Sequence, residues 1–510
     1  MGVIFYKRKS IMSLLVLIVL LGLSLRFYNL SNYSLWYDEA LSVIQVQDAE
    51  QISPKDFTPP LYGLFMKFWM QITDSEFGLR FPSAIFGSIS ILMIFLVGKA
   101  LFTDKVGLIG AFLLAISPFQ IYYSQEARMY SLITLLTLSS AYLFIRSLKN
   151  ETNGFWIGFV IITLLNMYTH YIGVFFWIAE IIFISVIFRK LSKKIKKRCF
   201  IGNILIFLLS SPWLVLSYNA LENIKKSTST YKYFWAPAVS LKSLFLTLKT
   251  FSIGYHAVYL VSLCTVAIFV FFFIQGVMKF KKDKSLILSL LCLILPVGAI
   301  FITSKFKSMY VDRYFISSAL FYYLIVASGL SGLNNKKLVL SMFCIAFLST
   351  ITLVNYYNNI LPYSDKEHVW IQRKKDHRGI VRYIGKNYEE GDAVYHTCRN
   401  TIYPFIYYAN RSKGEIARLK ENNVCLAASF QETDRIIFSE VDSYERYHDK
   451  PGYYALKDKK NFWLILSSFE FEIVEESPQD RMLLKQIDKY FKIIESKKFK
   501  GAKVFFYEKM

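Results

Sequence analysis

Two adjacent carboxylates, Asp38 and Glu39, follow shortly after the first apolar segment and are preceded by Trp36 and Tyr37. Aromatic rings of this kind favour the membrane–water interface. Anionic groups are poor membrane anchors, so the pair is better explained as a base or a ligand that acts on a lipid-bound molecule. A carboxylate placed there can take the proton of an incoming hydroxyl group. A solvated loop or a helix N-cap is the alternative explanation.

Two later segments, residues 122–130 and 304–314, combine acids, cations and tyrosines between apolar runs. Arginine and lysine can hold a phosphate, arginine in a bidentate manner. Tyrosine rings can stack on a sugar or line a lipid groove. A lipid that carries both a phosphate and a sugar would use all of these groups. The candidate binding residues in the two segments are Glu126, Arg128, Lys305, Lys307, Arg313 and Tyr314.

Each of these residues also has an ordinary explanation. Glu126 and Arg128 could pair only to tie a tight loop, and Arg313 could be an interfacial anchor. The two lysines could belong to a solvated loop. His170 occupies a tight turn, where histidine more often supports the turn than binds a ligand. Convergence of several such groups on one face of the membrane would favour an active site.

The elements that must position these residues are membrane helices. The chain has 510 residues, of which 54% are hydrophobic, and apolar runs recur from Ile11 to Val354. About 20 apolar residues cross the hydrocarbon core of a bilayer. After about residue 361 charge becomes frequent and the long apolar runs stop. We therefore expect a transmembrane domain at 1–358 and a soluble α/β domain at 359–510, long enough for a core of its own.

Basic loops fix the expected orientation. With the N-terminus in the cytoplasm, eleven spans place the main Lys/Arg clusters inside. The acidic pair, the two polar segments and the C-terminal domain are then outside a plasma or inner membrane. The short apolar segment 59–72 is read as a helix lying on the membrane within an external loop at 28–79. The predicted spans are 11–29, 82–101, 106–122, 129–147, 155–169, 171–188, 200–217, 257–277, 285–303, 314–331 and 338–356.

The net charge of +23 would suggest nucleic acid in a soluble protein. Much of the excess lies in short loops between spans, where it meets anionic lipid, so nucleic acid is not expected as a partner. Six cysteines are scattered singly. Cys398 and Cys425, both in the C-terminal domain, could pair in an oxidising compartment.

Four motifs in order resemble the GT-C glycosyltransferases. They are similar to the bacterial branch related to protein O-mannosyltransferases and to the lipid A aminoarabinose and rhizobial lipopolysaccharide transferases. The resemblance is strongest over residues 11–180 and looser at 312–314. The motifs are WYDEA at 36–40, TPPLY at 58–62, LRFPSA at 79–84 and YSQEARMY at 123–130.

This resemblance implies a polyprenyl- or dolichyl-phosphate-linked sugar as donor, used on the extracytoplasmic face with inversion at the anomeric carbon. It implies that Asp38 is the general base. It also implies that Glu126 and Arg128 border the donor phosphate or the acceptor, and that Arg80 matches an arginine usual in the family.

One position departs from the family pattern. Thr58 stands where relatives often have a histidine before the Pro-Pro pair, near a metal ligand in some members. Asp56 could substitute for that histidine, so a divalent metal is an open expectation and no other cofactor is expected. Arginine and lysine alone can stabilise a phosphate leaving group.

The C-terminal domain is predicted to alternate strands and helices. No Gly-rich phosphate loop or catalytic triad motif is present. Acceptor binding or a cap over the active site is the expected role. The predicted helices are 376–388 and 480–496, and the predicted strands are 393–397, 435–439, 462–466 and 502–507.

Together these patterns favour an integral membrane glycosyltransferase. It would move a sugar from a polyprenyl-phosphate donor to a hydroxyl of a glycan, lipid or protein acceptor. A transporter or flippase of lipid-linked sugars is the main alternative, but it should line a mid-membrane path with polar residues. Glu180 is nearly alone at such a depth, where a helix–helix hydrogen bond explains it. A membrane-anchored assembly protein that acts through its C-terminal domain is the third hypothesis.

Overall fold

A computed structural model describes most of the membrane-spanning part and the framework of the C-terminal part. The described residues are 2–47, 59–150, 152–227, 238–362, 371, 373–389, 392–396, 399–411, 425–430, 436–440, 460–467, 481, 484–485 and 487–510. The helices are α1 (Gly2–Phe27), α2 (Tyr37–Gln47), α3 (Pro60–Trp69), α4 (Glu76–Leu101), α5 (Asp104–Ile116), α6 (Pro118–Ser124), α7 (Tyr130–Lys149), α8 (Asn153–Met167), α9 (Gly173–Ile187), α10 (Lys193–Ser227), α11 (Leu241–Ile253), α12 (Tyr259–Phe280), α13 (Lys284–Thr303), α14 (Ser318–Leu330), α15 (Asn335–Tyr357), α16 (His377–Asn387) and α17 (Ile402–Asn410). The strands are β1 (Ala393–His396), β2 (Cys425–Phe430), β3 (Ile436–Glu440), β4 (Asn461–Leu466), β5 (Phe491–Phe499) and β6 (Ala502–Lys509).

The chain divides into two compact units. The membrane unit comprises Met1–Leu30, Glu50–Tyr363 and Glu367–Val369. The C-terminal unit comprises Ser31–Ala49, Ser364–Lys366 and Trp370–Met510. Helix α2, which carries Asp38 and Glu39, therefore belongs to the C-terminal unit although it lies near the start of the sequence.

Helices occupy all eleven segments that were predicted as spans. Among the described residues, six helices are long and apolar enough to cross a membrane: α1, α4, α7, α12, α13 and α15. The pair α5–α6, bent by 60°, raises the number to seven if it forms one broken span. Helices α8 and α14 are apolar but shorter. The protein is a multi-pass membrane protein, and the count of eleven spans stays a prediction.

Two further helices lie between the spans. The predicted helix at 59–72 is present as α3, with Pro60 in its first turn, where the missing N–H of proline costs nothing. Its position on the membrane stays a prediction. Helix α11 was not predicted. It begins at a capping box formed by Ser240 and Ser243, and it ends at Gly254, whose φ of 75° favours glycine.

The bend between α5 and α6 is stabilised by a buried arginine. Ser117 caps the start of α6 and Pro118 follows it, so the α5 helix cannot continue through this point. Arg26 of α1 is fully buried there and donates to the carbonyl oxygens of Leu114 and Ala115 at 3.0 and 3.1 Å. These hydrogen bonds satisfy carbonyl groups that the broken helix leaves without an intrahelical partner.

Helices α12 and α14 approach each other closely at two glycines. A Cβ atom added to Gly276 would lie 2.0 Å from the carbonyl oxygen of Ile325, and one added to Gly329 would lie 2.0 Å from that of Phe272. Only residues without a side chain allow the two backbones to pack at this distance, as is common between membrane helices.

The C-terminal unit is built on a six-stranded mixed sheet of order β3-β2-β1-β4-β6-β5. Strand β1 is parallel to β2 and β4, and the remaining neighbours are antiparallel. Alternate residues of β4 enter different cores, Phe462 and Leu464 on one face, Trp463 and Ile465 on the other. Residues of α16 and α17 pack on the second face. The predicted α/β architecture of this part is confirmed.

One predicted element in this unit is wrong in part. The helix expected at 480–496 is replaced from Phe491 onward by strand β5, which pairs antiparallel with β6 through a register shift at Ile493/Glu495. Most side chains of β5 are exposed and several are lysines, as is typical of a protected edge strand. The helical periodicity was misleading because pairing with β6 decides the conformation. Strand β2 and helix α17 were not predicted.

Candidate functional site

Three chain connections of the membrane unit meet in a charged aromatic cluster. They are the α6–α7 loop with Glu126 and Arg128, the α8–α9 turn with His170, and the single 3₁₀ turn Asp312–Phe315 before α14. The His170 ring lies 5.2 Å from the ring of Tyr314 and 6.2 Å from that of Tyr130. The Arg313 guanidinium lies over the Tyr130 ring at 6.0 Å. The candidate residues of these three segments are therefore brought together.

The charged groups of this cluster are largely removed from water, and their burial costs free energy. The Glu126 side chain has no exposed surface, Arg313 is 8% exposed and Arg128 is half-buried. The loop itself is fixed by the backbone, since the Arg128 N–H donates to the Glu126 carbonyl oxygen at 2.8 Å. Removing a charge from water costs several kcal/mol per ion. Buried ionisable groups of this kind cluster at functional sites.

His170 is held neutral. Burial lowers the pKa of His170 to about 3, and the Arg128 and Arg313 cations act in the same direction. Its Nδ1 accepts from the Ile172 N–H at 3.2 Å, so the ring proton is on Nε2. The histidine thus supports the α8–α9 turn, as its ordinary explanation holds, and it also presents a neutral donor.

Helix α11 and the residues that follow it carry further buried polar groups that the sequence analysis did not single out. Lys249 is 5% exposed, and the hydroxyl of its neighbour Thr250 donates to Asp312 Oδ2 at 2.8 Å. The Tyr255 hydroxyl lies 3.1 Å from that of Tyr123. The capping box at Ser240 was the available sequence signal for this helix.

Gln125 ties the α6–α7 loop to two spans. Its Nε2 donates to the carbonyl oxygens of Arg26 and Tyr28 at 2.9 and 2.7 Å, and its Oε1 accepts from the Tyr356 hydroxyl at 2.8 Å. Arg80 has a comparable role, because it is almost fully buried and its Nη1 donates to the Leu30 carbonyl oxygen at 3.0 Å. This contact makes Arg80 a residue that holds the chain after α1.

The remaining predicted binding residues are less enclosed. Lys305 is exposed, with Nζ 5.2 Å from the centre of the Phe301 ring, and Lys307 is half-buried. Asp56, the candidate metal ligand, and Cys398, which could pair with Cys425, lie outside the described residues. Within the described part of the chain, no group of three or more His, Cys, Asp or Glu residues could hold a metal ion.

In the C-terminal unit, the acidic pair stands at the start of α2 and its members differ. Glu39 is fully buried, and its Oε2 accepts from the Trp36 N–H at 3.2 Å, which is one half of a capping box. The N-cap explanation therefore applies to Glu39. Asp38 is half-buried, and its own carbonyl oxygen accepts from Ser42 Oγ at 2.9 Å. Of the two carboxylates, Asp38 is the better candidate for a base.

The chain has the fold of the GT-C glycosyltransferases. It is similar to ArnT from Cupriavidus metallidurans in the apo state, with a TM-score of 0.62, 10% identity, and 98% of each chain covered. The same enzyme bound to undecaprenyl phosphate gives a TM-score of 0.59 at 12% identity, covering 96% of this chain and 97% of that one. The oligosaccharyltransferase AglB from Archaeoglobus fulgidus, in complex with an inhibitory peptide and a dolichol-phosphate, gives 0.51 at 14% identity, covering 79% and 64%.

The match found by sequence comparison covers less of the chain than the structural matches do. The model of the dolichyl-phosphate-mannose-protein mannosyltransferase family matches residues 58–216, which is less than a third of the chain. A comparison with curated proteins gives no match. The predicted resemblance to GT-C glycosyltransferases is confirmed at the level of the fold.

Proposed function

We propose that the protein is a glycosyltransferase that moves a sugar from a polyprenyl-phosphate-linked donor to an acceptor hydroxyl on the extracytoplasmic face of the cell membrane. The acceptor would be a glycan, a lipid or a protein. The observation that carries the proposal is the charged aromatic cluster, which gathers the buried Arg313, the half-buried Arg128 and tyrosines in a membrane unit of the GT-C fold.

In the proposed reaction, Asp38 takes the proton of the acceptor hydroxyl. The acceptor oxygen attacks the anomeric carbon, the bond from that carbon to the phosphate oxygen breaks, and polyprenyl phosphate leaves with the bonding electron pair. Attack from the side opposite the leaving group inverts the anomeric configuration. No proton is needed by the phosphate if cations balance its charge.

The cluster supplies groups suited to that phosphate. Arg313 and Arg128 can donate charge-assisted hydrogen bonds. The Nε2–H of His170 is a neutral donor that keeps its state across physiological pH, because the pKa of His170 is lowered to about 3 by burial. Glu126 is the candidate acidic contact to the acceptor or the sugar. ArnT bound to undecaprenyl phosphate and AglB in complex with a dolichol-phosphate, which have the same fold, support a lipid phosphate here.

Transport of the lipid-linked sugar is less well supported. The acid within a span, Glu180 of α9, accepts from Ser140 Oγ at 3.4 Å, and Ser140 also meets Thr163 at 2.8 Å. These contacts link α7, α8 and α9 as a helix–helix hydrogen-bond site, which was the predicted role of Glu180.

The test compares Asp38→Asn with Asp74→Asn in full-length protein reconstituted in nanodiscs. Asp74 is an exposed acid of the same predicted external loop and serves as the matched control. The donor substrate is the polyprenyl-phosphate-sugar fraction extracted from a strain that lacks the gene. Membranes of the same strain supply the acceptor. A general base contributes about 10²- to 10⁴-fold, so Asp38→Asn should lose at least ~100-fold in turnover. If folded Asp38→Asn protein keeps full turnover, the assignment of Asp38 as the general base is refuted.

A further inference from the structure

The segment that leads into α2 is held by the far end of the sequence. The Leu35 N–H donates to the Tyr408 hydroxyl of α17 at 2.8 Å. The Arg378 N–H, in the first turn of α16, donates to Ser34 Oγ at 3.1 Å. Two residues in a row are thus fixed by side-chain contacts that reach across more than 340 positions of sequence.

Further contacts surround these two hydrogen bonds. Arg378 Nη2 donates to the Ser31 carbonyl oxygen at 3.2 Å, and the Lys500 ammonium lies 5.7 Å from the centre of the Tyr33 ring. The rings of Tyr37 and Tyr403 meet edge to face at 5.2 Å. The segment 31–37 is therefore fixed along its whole length by residues of the C-terminal unit.

The position where α2 begins follows from these contacts. Ser34 and Leu35 are held by α16 and α17, and the next amide, that of Trp36, is capped by Glu39. Leu35 and Ala40 have no exposed surface, so the helix cannot rotate without exposing apolar groups or opening the core. Because Asp38 is the second residue of α2, these contacts also fix its position and orientation.

We propose that Tyr408 and Arg378, in the same unit as Asp38, are positioning residues for it. This inference rests on the proposed role of Asp38 as the base. A base acts only within hydrogen-bond reach of the proton it removes, and a displacement of about 1 Å costs up to ~100-fold in rate. Loss of the Tyr408 hydroxyl would leave the buried Leu35 N–H without its acceptor and free the segment to move.

The experiment measures kinetics and hydrogen exchange of full-length Tyr408→Phe in nanodiscs, with the extracted polyprenyl-phosphate-sugar fraction as donor. We expect kcat to fall about tenfold, equal to ~1.4 kcal/mol of transition-state stabilisation, while KM for the donor stays within about twofold. Amide exchange of the peptide that covers residues 33–40 should become faster. Tyr490→Phe, at a half-exposed tyrosine of the same unit, is the control and should match the wild type in both measurements.

Ser34→Ala provides a second route, because it removes the acceptor of the Arg378 N–H without touching Tyr408. It decides the question if Tyr408→Phe does not assemble. The proposal is overturned if the folded variants keep the wild-type kcat and the wild-type exchange at residues 33–40. An active Asp38→Asn variant would instead overturn the proposed function, and the exchange data would still show whether Tyr408 holds the segment.

Discussion

Arg313 and Lys305 are both candidate contacts to the donor phosphate, and their surroundings in the structure differ. Arg313 is 8% exposed, lies over the Tyr130 ring and is close to the neutral His170, whereas the Lys305 side chain is exposed and its ammonium lies over the Phe301 ring. Arg313→Gln replaces a buried guanidinium by a neutral amide on a shorter side chain. Lys305→Gln is the matched change at an exposed cation.

The expected magnitudes follow from burial. A hydrogen bond to a charged group contributes about 1.5–3 kcal/mol, and each ~1.4 kcal/mol is tenfold in affinity. Arg313→Gln should therefore weaken binding of the lipid phosphate by roughly 10- to 150-fold. Exposed charge pairs contribute about 0–1 kcal/mol, so Lys305→Gln should weaken it by less than about fivefold. Arg313→Lys should lie between the wild type and Arg313→Gln, because it keeps the charge and loses the bidentate geometry.

The assay is a titration of each full-length variant with undecaprenyl phosphate in nanodiscs, followed by native mass spectrometry. Melting temperatures without ligand identify any variant whose fold is damaged. Wild-type affinity in a folded Arg313→Gln protein would refute the assignment of the cluster as the phosphate site. An equal loss in both variants would point to general charge attraction and not to a built site.

Two predictions concern stability. Burial lowers the pKa of His377 and of His396 to about 3. Both are neutral in the fold, so their contribution is complete above the unfolded pKa of about 6.5 and falls by ~1.4 kcal/mol per histidine for each pH unit below it. Limited proteolysis of the C-terminal unit should speed up between pH 7.5 and 5.5, and equal or greater resistance at pH 5.5 would contradict this. Gly329→Ala should lower the melting temperature, because the added methyl group overpacks against Phe272 at a cost of about 1–3 kcal/mol. Gly298→Ala is the control, since a Cβ atom added there meets nothing within 4 Å. Equal melting temperatures of the two variants would disprove the close packing at Gly329.

The sequence predicted the elements whose signal is local. Each predicted span except 106–122, which is divided into α5 and α6, coincides with one helix, because apolar runs of this length are helical in a membrane. The strands β1, β3, β4 and β6 were predicted from short apolar alternation between turn residues. The two polar segments around Glu126 and Arg313 and the turn at His170 were singled out because polar groups between spans are conspicuous.

The remaining features depend on contacts between distant residues. Nothing near Asp38 in sequence shows that α2 packs in the C-terminal unit, since its partners Arg378 and Tyr408 follow more than 340 positions later. The helical pattern of 480–496 gave no sign of the pairing between β5 and β6. The sequence around Lys249 does not show that this lysine is buried, because its burial depends on how helix α11 packs.

The central claim is that the protein transfers a sugar and does not only move a lipid across the membrane. The most direct measurement mixes wild-type protein in nanodiscs with the extracted polyprenyl-phosphate-sugar fraction and acceptor membranes, and follows both lipid and glycan products by mass spectrometry. We expect one polyprenyl phosphate to be released for each sugar transferred, with the inverted anomeric configuration, and both products to be lost in Asp38→Asn. Unchanged donor, or sugar release without any glycosylated acceptor, would contradict it.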